Sequence, residues 1–168
     1  MANNGIGLAE AAAMRRGARG RGGDGLSAMM TVFPLLVVPV LIYNFVGFLG
    51  SVGENGPEKV RANMEAVAMA VPMASGATWE VSWGAILLLI SLSLLFVELL
   101  KSTGTGSMAI FNHALSMLVF ILCLIEFLLL PAFATSTFFL IMTMSLLDVL
   151  AGVIVTIVSA RRDVEFEH

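Results

Sequence analysis

The stretch from Ile110 to Leu130, IFNHALSMLVFILCLIEFLLL, constrains this chain more than any other. Crossing a hydrocarbon core of ~30 Å takes about 20 mostly apolar residues in a helix, and this stretch has that length. It also contains His113 and Glu126. An ionisable side chain at the membrane centre costs on the order of 2.5 to 3.5 kcal/mol by insertion scales, and such residues are functional candidates by default. The sequence therefore predicts a transmembrane helix that carries polar groups.

The composition supports a membrane protein with almost no water-soluble domain. The chain is 58% hydrophobic and 12% charged, with a mean hydropathy of +0.95, whereas soluble domains are about 45 to 50% apolar. Cys123 is the only cysteine, so one copy has neither an internal disulfide nor a cysteine-based zinc site. The first fold prediction is thus an all-α, polytopic membrane protein.

Four apolar runs predict a bundle of four transmembrane helices. We place the spans at about 29–49, 81–100, 108–130 and 133–160, after a disordered basic tail at 1–27 and before a short tail at 161–168. Pro34 and Pro39 lie inside the first span and predict a bent helix, because each removes a backbone donor. Trp79 and Trp83 mark a water boundary, since indoles favour the head-group level.

The outer loop at 50–80 contains a pattern that is typical of an amphipathic helix. Pro57 can open this helix and Pro72 can close it. The apolar residues that would share its buried face are spaced by four, three and four positions: Val60, Met64, Val67 and Val71. We therefore predict a short interfacial helix at about 57–71 that lies on the outer membrane surface or caps the bundle.

The basic residues predict that both termini are cytosolic. Seven of the nine Lys and Arg residues belong to the two tails and the loop after the second span, while the outer segments hold only Lys59 and Arg61. This distribution satisfies the positive-inside rule and predicts a multi-pass protein of the cytoplasmic membrane. The N-terminal arginines can contact anionic lipids. No aromatic residue lies among them to stack on bases, so we predict no nucleic-acid partner.

Small and polar residues fall on one side of each of the last three predicted helices. In lipid, such residues bring helices together, so these polar stripes should face the bundle interior. The second span contributes Gly84, Ser91 and Glu98, the third contributes Asn112, Ser116, Cys123 and Glu126, and the fourth contributes Thr137, Ser145, Asp148, Gly152, Thr156 and Ser159. The residues predicted to pack helix against helix are Gly152, Thr156, Ser145 and Ser116.

Two functions fit this pattern. The first is a non-enzymatic accessory, scaffold or assembly subunit that contacts a larger membrane complex or copies of itself. The alternative is proton or cation translocation, as an oligomer, through a series of ionisable groups spaced by about 10 Å across the bilayer: Glu98, His113, Asp148 and Glu126.

Catalysis and cofactor binding have little support in the sequence. It holds no G-x-S-x-G, no H-E-x-x-H and no phosphate-binding loop, so we predict no enzymatic activity. His113 is the only histidine inside a span, and the acidic residues lack metal-ligand spacing on any single helix. We predict no cofactor and no metal.

Overall fold

The computed structural model describes residues 33–102 and 107–165, and this part of the chain is mostly helical. Within it the elements are five α-helices, one β-hairpin and one 3-10 turn. The helices are α1 (Val37–Gly50), α2 (Gly56–Glu65), α3 (Trp83–Ser102), α4 (Ser107–Leu129) and α5 (Ser136–Glu165). The hairpin consists of β1 (Val67–Pro72) and β2 (Thr78–Ser82), and the 3-10 turn is Pro131–Phe133.

Three of these helices, α3, α4 and α5, are long and apolar enough to cross a membrane. Their apolar windows are Trp83–Lys101, Ile110–Leu129 and Ser136–Val155. Helix α5 packs extensively against both α3 and α4, and so lies between them. This confirms the predicted mostly helical fold, with three helices that have the length and apolar composition of membrane spans. Helix α1 is apolar but shorter, with 14 residues, so the predicted count of four spans stays a prediction.

The prolines of the first apolar run mark the start of α1 and do not bend it. The helix begins at Val37, whose N–H donates to the Pro34 carbonyl at 3.2 Å. Pro39 lies in the first turn, where a missing N–H costs little because the first four helical N–H groups have no partner within the helix. The predicted bend is therefore wrong. Residues 29–32 of the predicted span lie outside the described residues.

Helix α1 runs alongside the bundle from one end to the other. Close to its start, the Lys101 ammonium at the end of α3 donates to the Phe33 carbonyl at 2.8 Å. At its other end the Tyr43 hydroxyl donates to the Ala132 carbonyl in the 3-10 turn at 3.2 Å, and Gly47 lies against the Phe133 ring. Helices α1, α3, α4 and α5 thus alternate in direction.

The predicted interfacial helix at 57–71 is correct only in its first part. Helix α2 buries Val60 and Met64 as expected, but it ends at Glu65. The following residues form β1, which pairs antiparallel with β2. Val67 and Val71 are four positions apart, a spacing that fits either a helical face or alternate residues of a strand, and β-branched residues favour the strand. Gly76, with φ +83°, allows the turn that closes the hairpin.

The last helix is displaced from its predicted bounds at both ends. Pro131–Phe133 form the 3-10 turn, so α5 begins at Ser136 instead of 133. The helix then continues to Glu165, five residues beyond the predicted membrane exit and into the predicted tail at 161–168. Leaving the hydrocarbon does not end a helix, and basic residues such as Arg161 and Arg162 are favourable near a helix C-terminus. Residues 166–168 lie outside the described part of the chain.

An aromatic cluster joins α1 to the start of α5. The ring centroids of Tyr43 and Phe138 are 4.8 Å apart, and those of Phe133 and Phe138 are 4.9 Å apart with the rings nearly perpendicular. The Tyr43 hydroxyl lies 2.5 Å from the Thr135 hydroxyl, which also accepts the Phe138 N–H. These contacts hold α1 at the end of the bundle from which the hairpin projects.

We predict that Gly84→Leu destabilises the bundle, whereas Ala85→Leu does not. A Cβ on Gly84 would lie 2.7 Å from the Thr137 hydroxyl and 3.0 Å from the Met64 carbonyl oxygen, while Ala85 is exposed. Overpacking of this kind typically costs about 1–3 kcal/mol. Thermal unfolding of both variants in one detergent measures the difference. Equal melting temperatures would show that α3 does not approach α2 and α5 this closely.

Candidate functional site

The predicted polar stripes face the interior of the bundle. Six of their side chains are at most 2% exposed: Ser91, Glu98, Asn112, Ser116, Ser145 and Asp148. Gly84 and Gly152 are also buried. The side chains of Thr156 and Ser159 are not among those that the structure describes. Three helices therefore direct polar groups at one another inside an apolar protein, as the spacing predicts.

The most complete network surrounds the fully buried carboxylate of Glu98 near the end of α3. Its Oε2 accepts the backbone N–H of Leu35 at 3.0 Å, and its Oε1 accepts the amide of Asn112 at 2.6 Å. The Lys101 ammonium lies 3.0 Å from Oε1 and 3.1 Å from Oε2. Each carboxylate oxygen thus has at least two donors. We call these four residues the Glu98 cluster.

The Glu98 cluster explains how α1 begins. The first N–H groups of a helix have no partner within the helix and carry a partial positive charge. Leu36, at the N-cap position, makes no side-chain capping bond. The Glu98 carboxylate on α3 accepts the N–H of Leu35, the residue before the N-cap, and brings a negative charge to the positive end of α1. Its position is therefore set by a structural requirement, and Glu98 joins α1, α3 and α4.

A second group, the Asp148 cluster, lies beside the first between α4 and α5 and contains His113, Ser116, Asp148 and Gly152. The His113 ring contacts Gly152 so closely that a Cβ on this glycine would overlap the ring. Ser116, Glu98, His113 and Lys101 all influence the Asp148 carboxylate electrostatically. Glu98, His113 and Asp148 thus lie in one region of the bundle.

Several polar atoms of these two clusters have no hydrogen-bond partner among the described residues. They are Asn112 Oδ1, both ring nitrogens of His113, Ser116 Oγ and Asp148 Oδ1. Leaving such a buried atom without a partner costs about 1–3 kcal/mol. These donors and acceptors can bind a water molecule or exchange a proton. Across residues 33–102 and 107–165, no three His, Cys, Asp or Glu side chains meet in a group that could hold a metal ion.

Glu126 lies apart from the other ionisable groups. Its carboxylate accepts the Asn44 amide of α1 at 3.1 Å, and Asn44 also donates to the Val40 carbonyl at 3.0 Å. Ten residues separate Ser116 from Glu126 on α4, which corresponds to about 15 Å. Fully buried Cys123 and Ile141 belong to the apolar core between these levels. The structure brings together three of the four predicted ionisable residues and separates the fourth.

Two partners in these networks are missing from the sequence prediction. Lys101 is three residues from Glu98 on the same helix, α3, a spacing that brings two side chains together on one helical face. The sequence therefore holds a signal for this ion pair. Asn44 and Glu126 are 82 positions apart, and only the placement of α1 against α4 brings them together.

The fold and the buried polar clusters define an α-helical integral membrane protein. The chain matches no family model, no curated protein and no solved structure.

We predict that Glu98→Gln loosens the start of α1. The amide cannot form the ion pair with Lys101, and the Leu35 N–H loses a charged acceptor. Because a hydrogen bond to a charged group contributes about 1.5–3 kcal/mol, amide hydrogen exchange at residues 35–38 should accelerate about tenfold or more. Hydrogen-exchange mass spectrometry in nanodiscs measures this, with Glu80→Gln on exposed β2 as the control. Unchanged exchange would mean that Glu98 does not hold α1.

Proposed function

We propose that this protein is a non-enzymatic accessory, scaffold or assembly subunit that acts through helix–helix contacts with a larger membrane complex or with its own copies. The observation that carries the proposal is that the carboxylates inside the bundle are bonded to other segments of the same chain. Glu98 and Glu126 are both hydrogen-bonded to other helices of the same chain. These residues serve helix packing, which is what an assembly subunit requires.

The separation between Glu126 and the Asp148 cluster favours assembly over conduction by a single copy. Proton transfer needs hydrogen-bonded neighbours or intervening water, and a direct hydrogen bond spans only ~3 Å. About 15 Å of helix separates Ser116 from Glu126, and the core between them includes Cys123 and Ile141. A continuous polar route through one copy would have to cross this apolar layer.

The helices leave wide surfaces for a partner. Only 22 to 39% of the residues in the three spanning windows are buried within the chain. A groove of about 470 Å³ runs between α1 and α3 and is closed at one end by α2. Its walls include Ile42 and Val46 on one side, Leu87 and Ile90 on the other, and Met64 at the closed end. Such a groove can accept a neighbouring apolar helix.

The proposed topology has four spans with both termini in the cytosol. Helix α1, together with the residues before it, would be the first span, because it extends from Lys101 at the end of α3 to the 3-10 turn at the opposite end of the bundle. The basic residues favour the cytoplasmic membrane and this orientation. Helix α2 and the β-hairpin then lie on the outer side.

The second candidate function is proton or cation translocation by an oligomer. The observation that favours it is the set of buried polar atoms without partners around Asp148. In an oligomer, a pathway could form between copies and avoid the apolar core of each one. Asp148 and His113 would then exchange the proton or bind the cation.

Native mass spectrometry after gentle nanodisc extraction from the native membrane tests the proposal. A stoichiometric partner protein supports the accessory subunit, whereas a homo-oligomer alone fits both candidate functions, which proton flux then separates. A monomer without protein partners at native concentration would contradict it.

We predict that Gly152→Leu disrupts assembly and that Asp148→Asn does not. A side chain at position 152 would displace the His113 ring and separate α4 from α5, so the partner or oligomer should be lost. Asn keeps the size and hydrogen-bonding capacity of Asp148, so assembly and cellular function should persist. Val153→Leu, at an exposed position, is the control for added bulk. Loss of cellular function in Asp148→Asn with intact assembly would instead favour translocation.

A further inference from the structure

Two adjoining pockets lie beside the start of α5, at the end of the bundle that carries the hairpin. One is polar, has a volume of about 310 Å³, and includes Arg61, Glu65 and Ser82 in its lining. The other is apolar, has a volume of about 440 Å³, and is lined by Phe127, Phe139 and Leu140. The two share Ala134, Thr135 and Ser136. A polar and an apolar pocket thus adjoin at these three residues.

The polar pocket carries one positive and one negative side chain. Arg61 and Glu65 are four residues apart on α2, which places them on one helical face. The guanidinium donates a long hydrogen bond of 3.4 Å to the Ala134 carbonyl, and in the described part of the chain this is its one bond. Because a guanidinium has five donors, most of them can serve a ligand. The hydroxyls of Ser82, Ser136 and Thr137 add further polar contacts.

The polar and apolar pockets follow one another in the same order as the head-group and hydrocarbon layers of a membrane. Exposed Trp79 and Trp83 lie at the same end of the bundle, and indoles favour the head-group level. The polar pocket is at the N-terminal end of α5. The apolar pocket continues along α5 by about one turn to Leu140, towards the hydrocarbon. A ligand that fills both must have a charged head at the membrane surface and an apolar tail below it.

We propose that this site binds a phospholipid with a zwitterionic amine head group, of the phosphatidylethanolamine class. The phosphate contacts the Arg61 guanidinium, whose planar fork matches phosphate oxygens. The ammonium contacts the Glu65 carboxylate, and one acyl chain lies along Phe127 and Phe139. Arg61 and Glu65 together carry no net charge, which matches a zwitterion. Glu65 disfavours a head group with no ammonium to balance its own charge.

The experiment compares two lipids that differ in the head group. The full-length protein is reconstituted in nanodiscs with equal amounts of phosphatidylethanolamine and phosphatidylglycerol, transferred to detergent, and analysed by native mass spectrometry for retained lipid. Wild type should retain about tenfold more phosphatidylethanolamine than phosphatidylglycerol. Only phosphatidylethanolamine has an ammonium for Glu65, and hydrogen bonds between charged groups are stronger than those between neutral groups. Equal retention of the two lipids, or retention of neither, would overturn the proposal.

The variants separate lipid recognition from protein stability. Glu65→Gln should reduce the preference between the two lipids, because it removes the partner of the ammonium, while the Arg61 bond to Ala134 is untouched. Ser136→Trp places an indole at an exposed position shared by both pockets and should abolish retention. Lys59→Gln, which removes a positive charge elsewhere on α2, is the matched control and should behave as wild type.

Other outcomes of the same series count against the site. If Glu65→Gln and Ser136→Trp retain lipid as wild type does, the lipid lies elsewhere on the protein. Arg61→Gln, which removes the phosphate contact, should lower retention. If Lys59→Gln lowers it as much, the binding depends on net charge and not on this pocket. Neither result bears on the assembly function, because oligomeric state and partner content are measured independently.

Discussion

The buried carboxylate of Glu98 is the interaction on which the arrangement of helices depends. A charge in a low-dielectric interior must have partners, because removing one partner of a buried pair typically costs about 3–5 kcal/mol. The Leu35 N–H, the Lys101 ammonium and the Asn112 amide meet this requirement. They come from the segment before α1, from α3 and from α4. Satisfying one carboxylate therefore ties the segment before α1 to α3 and α4, and it places a negative charge near the start of α1.

The opposite end of the bundle is held by different chemistry. There the Asn44–Glu126 bond, the Tyr43–Thr135 contact and the packed aromatic rings connect α1 to α4 and α5. Between the two ends the core is mostly apolar, and the buried hydroxyls of Ser91 and Ser145 there donate to carbonyls of their own helices. Polar contacts at two levels, with a mostly apolar layer between them, set the register and orientation of the helices. This division supports the proposal that the polar residues serve assembly.

The sequence predicted the apolar helices and the inward faces because both follow from periodicity within one segment. Ser91 and Glu98 lie seven residues apart, and both are fully buried. The β-hairpin was missed because the spacing of Val67 and Val71 fits two periodicities, and the choice between them depends on β2 pairing with β1. The contacts of Glu98 with Leu35 and of Glu126 with Asn44 could not be predicted, since these partners lie 63 and 82 positions away in the sequence. The pair of Glu98 with Lys101, three residues away on the same helix, could have been predicted. The interpretation of Pro34 and Pro39 failed because a proline kinks a helix only in its interior.

Proton flux into liposomes that contain the purified protein is the most direct test of the claim that the buried polar residues serve helix packing and not transport. A pH gradient with a clamped membrane potential provides the driving force, and an encapsulated pH-sensitive dye reports the flux. The account predicts that the flux equals that of protein-free liposomes and that Asp148→Asn leaves it unchanged. A flux through the wild-type protein that Asp148→Asn abolishes would contradict the account and assign the Asp148 cluster to translocation.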